Sequence, residues 1–154
     1  MKSKACTPSA LLLALPLLLG GCAKVNDITM RAFATPAWSH AVVGNTVLTG
    51  RTTLYGDRTG TLELQAGGDK GLNCMGTMRY TSTSKGVVNL RCSDGLEVQL
   101  GFTALSEASG YGQGRYPGGA ASFTYGLDAE GARAWLVAPE GKRLLVRGDD
   151  LRIE

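Results

Sequence analysis

The chain has 154 residues, with 16 Lys and Arg against 13 Asp and Glu, one His and four Cys. Its length fits a single domain, and 44% hydrophobic with 19% charged residues excludes a wholly disordered chain. The net charge of +3 is too small to indicate a nucleic-acid partner, and one His excludes a mechanism that needs two imidazoles.

The N-terminal segment has the pattern of a secretory signal. Lys2 and Lys4 precede an apolar run over residues 10–19, which is broken only by Pro16. Such a run is shorter than the roughly 20 apolar residues of a membrane-spanning helix. A basic start followed by a short apolar stretch is typical of a cleaved signal peptide, which we predict over residues 1–21.

The apolar run ends in Leu-Gly-Gly-Cys at Cys22. This ending resembles the lipobox of bacterial lipoproteins, in which the cysteine carries lipid and becomes the new N-terminus. The resemblance implies that the protein contacts the membrane through palmitate-type acyl chains on Cys22. Ala23, rather than Asp, follows that cysteine, which favours the outer membrane, facing the periplasm. The alternative is an ordinary signal peptide with a chance cysteine at its end.

Two cysteines remain in the domain after processing. Cys74 and Cys92 are an even pair in an oxidising compartment, which indicates a structural disulfide. The alternative is a metal or redox pair, for which His40 is the only available imidazole. We expect no metal and no cofactor.

We predict a tether over residues 22–41 and a β domain over residues 42–154. The first hairpin joins strands over 48–55 and 60–65, with Leu54 facing Leu62 and Thr52 facing Leu64. Arg51 and Glu63 then lie on the solvent face.

A three-strand meander over residues 73–103 follows. If Cys74 faces Cys92, Met78 faces Val88, and the inner face of both strands consists of apolar residues, Gly, Cys and Tyr. A shift of one residue would exchange the faces, so this agreement supports the register. A turn at 93–95 then places Leu90 opposite Val98.

The C-terminal part predicts a strand over 121–127 and a short helix from an Asp128 N-cap to Leu136. A last hairpin around residues 148–150 is expected to close the sheet. The whole pattern predicts an all-β fold: a small antiparallel barrel or sandwich of about seven to nine strands, with one short helix and one disulfide.

A glycine-rich run over residues 110–114 is the most unusual motif. It lacks the Lys-Ser/Thr of a phosphate-binding loop, which favours a strand whose glycines allow close approach of another segment. A third hypothesis is that Tyr111, Arg115 and Tyr116 form a binding surface on this ribbon for a sugar, a peptide or another envelope protein.

Groups that would indicate an enzyme are few. The sequence contains no G-x-S-x-G nucleophile elbow with which His40 could act as a base. Asp149 and Asp150 are adjacent to each other in the chain, which fits a turn better than a catalytic carboxylate pair. We therefore predict a protein without catalytic residues. Trp38 and Trp135 are expected to be packing anchors, and either would nucleate a binding surface if it were exposed.

Four short motifs suggest a broader relationship: Cys-Met-Gly at Cys74, Cys-Ser-Asp-Gly at Cys92, Ser-Gly-Tyr-Gly at Ser109 and Phe-Thr-Tyr-Gly at Phe123. Together they resemble a loose class of small uncharacterised lipoproteins of Gram-negative bacteria. The stretch around residues 107–116 also resembles, in part, the loop with which membrane-bound lysozyme inhibitors block their target. The expected function is a non-enzymatic binding or structural module of the envelope, and the alternative is an inhibitor of an envelope-attacking hydrolase such as lysozyme.

Overall fold

The structure is a computed structural model that describes residues 32–67 and 71–154. The predicted signal peptide, Cys22 and residues 22–31 of the predicted tether lie outside the described residues. Ala34–Glu154 form one compact unit. In the described part of the chain, no helix has the length and apolar character needed to cross a membrane.

Ten strands and one short helix make up the described domain. Their bounds are β1 Thr35–Val43, β2 Thr46–Leu54, β3 Thr59–Ala66, β4 Asn73–Tyr80, β5 Lys85–Cys92, β6 Glu97–Ala104, β7 Gly110–Tyr116, β8 Gly119–Tyr125, α1 Ala129–Arg133, β9 Leu144–Arg147 and β10 Asp150–Ile153.

Strands β1 to β8 form a closed antiparallel barrel in sequence order, with β8 paired to β1. The predicted all-β class is confirmed, and the choice between barrel and sandwich is settled as a barrel. Alternate residues of each strand point inward because side chains in a strand alternate between the two faces. The inward set is large and apolar, and it includes Leu48, Leu62, Met78, Val88, Leu100, Phe123 and Tyr125.

The meander has the predicted register. Cys74 faces Cys92, Met78 faces Val88 and Leu90 faces Val98. The Cys74–Cys92 disulfide is present and joins residues 18 positions apart on neighbouring strands. This bond links β4 to β5 at the end of the barrel opposite to the start of β1.

The register predicted for the first hairpin is wrong by two residues, although the faces are right. Leu54 pairs with Gly60 and Thr52 with Leu62, whereas Arg51 and Glu63 are opposite each other on the outer face. The turn is tighter than expected because Arg58 adopts a positive φ of 67°, a conformation seldom taken by residues other than Gly. Asp57 stabilises it by accepting hydrogen bonds from the backbone N and side-chain hydroxyl of Thr59.

The β structure begins earlier than the predicted boundary at residue 42, since β1 already starts at Thr35. Part of the segment assigned to the tether is therefore barrel wall. The inward residues of this segment do not produce the alternating apolar pattern that is typical of a strand, because they are small or polar: Ala37, Ser39 and Ala41. Ser39 is tolerated inside the barrel since its Oγ lies 2.6 Å from the Oγ1 of buried Thr52, in a hydrogen bond.

The last hairpin does not close the barrel, contrary to the prediction. Strands β9 and β10 form a separate two-stranded sheet that lies, with α1, outside the barrel wall. We call residues 127–154 the C-terminal lobe. Its apolar residues form a second core with the outer face of β1 and β2: Val42, Val47, Ala129, Ala132, Leu136, Leu144 and Leu151. The predicted Asp128 N-cap is confirmed, but the helix ends at Arg133 rather than Leu136.

Candidate binding site at the barrel mouth

The three residues predicted as a binding surface do not form one surface. Tyr111 and Arg115 alternate with the inward glycines of β7 and lie on its outer face, whereas Tyr116 packs against the barrel core. Tyr111 is also covered, because its ring stacks on Trp135 of the C-terminal lobe with centroids 4.0 Å apart and planes 16° from parallel. Of the three, only Arg115 is exposed.

Tyr111 acts with its neighbours as an attachment point for the lobe. Gln113, two residues along the same face, donates a hydrogen bond of 3.0 Å from Nε2 to the carbonyl oxygen of Trp135. On β8, buried Ser122 accepts a hydrogen bond of 2.9 Å from the backbone N of Val137. Trp135 is thus a packing residue, as predicted, and Tyr111 is its partner.

The glycine-rich run has the structural role favoured by the sequence. The inward positions Gly110 and Gly112 leave space for the rings of Tyr125 and Phe123 on the neighbouring strand. A Cβ on Gly110 would lie 2.6 Å from the hydroxyl oxygen of Tyr125, and one on Gly112 would lie 2.8 Å from Cδ1 of Phe123. The run is therefore a strand of the barrel wall and not a phosphate-binding loop.

A cleft of about 660 Å³ opens at the end of the barrel where β1 begins. We call it the mouth cleft. Three turns surround it: residues 55–58 between β2 and β3, 81–84 between β4 and β5, and 105–109 between β6 and β7. Its walls are part apolar and part polar: Leu54, Tyr55, Arg58, Tyr80, Thr83, Ser84, Ala104, Leu105, Ser106 and Glu107. Barrel mouths are among the common positions for ligand sites.

Arg58 connects two of these turns. Its guanidinium donates hydrogen bonds to the carbonyl oxygens of Ser82 and Thr83, the latter at 3.1 Å. The same group lies 5.0 Å from the ring centre of Tyr80, within the range of a cation–π contact. A positively charged group is thus held at the side of the cleft, on a turn that Asp57 keeps in shape.

The third turn is held by its own hydrogen bonds. The backbone N atoms of Leu105 and Ser106 donate to the carbonyl oxygen of Ser109 at 2.8 and 3.1 Å. The hydroxyl oxygens of Ser106 and Ser109 are 2.7 Å apart. Leu105 is 48% exposed and Glu107 is exposed, so this short turn presents an apolar and an acidic side chain in a defined conformation.

The cleft is shallow because the barrel beneath it is filled. Tyr80 lines the cleft, and its hydroxyl oxygen lies 3.1 Å from that of fully buried Tyr125. Burial, and then the hydrogen bond with Tyr80, raises the pKa of Tyr125 well above its usual range, so this phenol stays protonated. A ligand would contact the rim and the Tyr80 side chain rather than enter the interior.

His40 lies elsewhere, on the outer face of β1 beneath the C-terminal lobe. It is 6% exposed, and its Nδ1 has no hydrogen-bond partner. Burial lowers its pKa below 6.5, while the nearby carboxylates of Asp128 and Asp150 oppose this shift. The adjacent Ser39 points to the opposite face, so His40 and Ser39 do not form a nucleophile–base pair.

No group of three or more His, Cys, Asp or Glu suited to a metal ion occurs within residues 32–67 and 71–154. No protein family, curated protein or solved structure matches the chain. No sequence pattern marked Tyr55, Arg58 and Tyr80 as site residues, and their only signal is their position at strand ends beside turn residues.

Proposed function

We propose that this protein is a lipid-anchored lipoprotein of the bacterial envelope, facing the periplasm, that acts as a non-enzymatic binding module. Its partner is another envelope protein, which it contacts through the mouth cleft. The observation that carries this proposal is the preformed rim, in which the turns bearing Arg58 and Leu105 are both fixed by hydrogen bonds. Preorganised surfaces bind with a smaller loss of conformational entropy.

The composition of the rim supports a protein partner. Tyr, Arg and other large side chains are enriched at the centres of protein interfaces, and an exposed Leu supplies apolar area. The rim combines Tyr55, Arg58 and Leu105, with Glu107 as a charged neighbour. The large apolar side chains packed together inside the barrel argue against a lipocalin-type carrier, which would need an internal cavity.

The second candidate, an inhibitor of an envelope-attacking hydrolase, is favoured by the turn over residues 105–109. Inhibitors that occupy an active-site cleft present a short, rigid segment, and this turn is held by Leu105–Ser109 and Ser106–Ser109 hydrogen bonds. The segment is shorter than the stretch over 107–116 that resembles an inhibitor loop, since residues from Gly110 onward belong to β7.

The test is photocrosslinking in cells with the full-length lipoprotein and a photoreactive residue at position 105. The matched control carries the same residue at Met75, which is 67% exposed on the outer wall of β4. A specific envelope protein captured from position 105 but not from position 75 is the expected result. Equal capture from both positions, or none, would overturn the assignment of the mouth cleft.

The identity of a captured protein separates the two candidates. A lysozyme-like hydrolase, together with stoichiometric loss of muramidase activity on adding purified protein, would move the inhibitor function to first place. The lipid anchor has its own test, since Cys22→Ala should abolish labelling by an alkyne fatty acid and release the protein from the membrane fraction. A Cys22→Ala protein that is still labelled would contradict the assigned anchor.

A further inference from the structure

Trp38 was expected from the sequence to be a packing anchor, and this prediction is wrong because the side chain is exposed. It lies on the outer face of β1, and 66% of it is exposed. His40, the next residue on that face, is buried beneath the C-terminal lobe. Trp38 therefore lies at the edge of the surface that the C-terminal lobe covers, next to the exposed outer face of β2 and β3.

The wall beside Trp38 carries two pairs of polar side chains in register. Arg51 of β2 is directly opposite Trp38 on one side and Glu63 of β3 on the other. Thr49 and Gln65 form the next opposed pair on the same outer face. Neighbouring strands are about 4.8 Å apart, and residues two positions apart along a strand are about 6.8 Å apart. Four hydrogen-bonding side chains thus form a small grid beside one indole ring.

These residues line a shallow groove of about 670 Å³, separate from the mouth cleft. Gly50, Ala66 and Gly67 complete its lining. We call it the Trp38 groove. It offers one flat apolar surface, the indole ring, next to a polar floor.

The chemistry of the grid selects among ligand classes. The Arg51 guanidinium only donates hydrogen bonds, the carboxylate form of a Glu side chain such as Glu63 only accepts them, and Thr49 and Gln65 do both. An anion would meet the Glu63 carboxylate and a cation would meet the Arg51 guanidinium, so an uncharged ligand is favoured. An added peptide strand is disfavoured at the polar floor because β2 and β3 are each paired on both sides there, and β1 is paired on both sides from Ser39 onward.

From these observations we infer that the Trp38 groove binds a neutral saccharide chain. A sugar ring has a C–H face that packs on an indole and a rim of hydroxyl groups that both donate and accept hydrogen bonds. Those two properties match the ring of Trp38 and the grid formed by Arg51, Glu63, Thr49 and Gln65. This site is independent of the mouth cleft and of any protein partner bound there.

The test uses Trp135→Phe protein, in which Trp38 is the only tryptophan of the chain. A phenyl ring preserves an aromatic partner for Tyr111 and removes the second source of indole fluorescence. The titrants are cellotetraose, maltotetraose and tetra-N-acetylchitotetraose, which are all uncharged. A saturable change in Trp38 emission with at least one of them is the expected result, and no change with any of them at millimolar concentration would overturn the proposal.

Calorimetry in the otherwise wild-type chain then locates the site. Trp38→Ala should weaken binding of the active saccharide about tenfold or more, as expected for loss of a central aromatic contact. Gln99→Ala, which removes an exposed side chain on the outer face of β6, outside the groove, should leave affinity unchanged. Equal affinities for Trp38→Ala and Gln99→Ala proteins would refute the site, whereas loss of crosslinking at position 105 would bear only on the mouth cleft.

Discussion

The inward glycines of β7 make a sharp prediction about stability. Gly112 faces Phe123 inside a filled barrel, and an added Cβ would lie 2.8 Å from both Cδ1 of Phe123 and the carbonyl oxygen of Gly101. Because the second neighbour is backbone, it cannot rotate away. Gly112→Ala should therefore destabilise the domain by about 1–3 kcal/mol, the usual cost of an extra methyl group in a packed core.

The matched control is Gly101→Ala on the adjacent strand. Gly101 lies on the outer face of β6, and no atom lies within 4 Å of the position its Cβ would take. Replacing a strand glycine by alanine there should be neutral or stabilising by about 0.4–1 kcal/mol, since the unfolded chain loses freedom. The two variants thus carry the same chemical change in opposite environments.

The assay is thermal unfolding followed by circular dichroism. For a domain of this size, 1 kcal/mol corresponds to roughly 4 °C, so Gly112→Ala should lower Tm by roughly 4–12 °C and Gly101→Ala should not lower it. Adding Phe123→Leu to Gly112→Ala should cost less than the sum of the single changes, because it makes room for the methyl group. Equal Tm values for the two alanine variants would refute the argument that ring packing explains the glycine-rich run.

Three further outcomes are expected. Replacing both Cys74 and Cys92 by Ala should lower the free energy of unfolding by about 3 kcal/mol without abolishing the fold, because the unfolded chain loses the constraint of a loop of 18 residues. The measurement is a urea titration, and an unchanged midpoint would show that the bond is not structural. Because burial lowers the pKa of His40 below 6.5, the unfolded state binds its proton more readily, so stability should be full above pH 6.5 and fall as the pH drops below it. A His40→Gln protein should show a shallower fall over that range, and identical pH profiles would contradict the assignment. Ser39→Ala should lower the free energy of unfolding by about 1–3 kcal/mol, because it leaves the buried hydroxyl of Thr52 without its partner. Changing Ser39 to Ala and Thr52 to Val together should lower it by less. Equal losses of unfolding free energy in the same urea titration would argue against the hydroxyl pair.

The parts of the fold that sequence analysis predicted correctly share a strong constraint. In the meander, the Cys74–Cys92 pair sets the register, and apolar alternation over the following strands agrees with it. The first hairpin lacked such a constraint. Its register depends on Arg58 taking a positive φ, and nothing in the residue type indicates this. The boundary of β1 was missed because its inward residues are small or polar and depend on a partner from another strand.

The candidate sites were the least predictable part. Tyr111 was a sound candidate as an aromatic residue on a glycine-rich strand, but its ring is covered by Trp135, 24 residues later in the chain. Trp38 and Trp135 look alike in the sequence, and their different exposure follows from where the C-terminal lobe packs. The mouth cleft and the Trp38 groove both arise from residues brought together across strands, so hydropathy patterns contain little trace of them.

The position of β1 has a mechanical consequence. Any pull transmitted through the N-terminal segment enters the domain at Thr35, where β1 begins. A force directed along that strand loads the hydrogen bonds to β2 and to β8 together, in shear, instead of opening them one by one. From Ser39 onward the strand that receives the load is therefore secured on both sides, which would suit the proposed anchoring of the domain through its N-terminus.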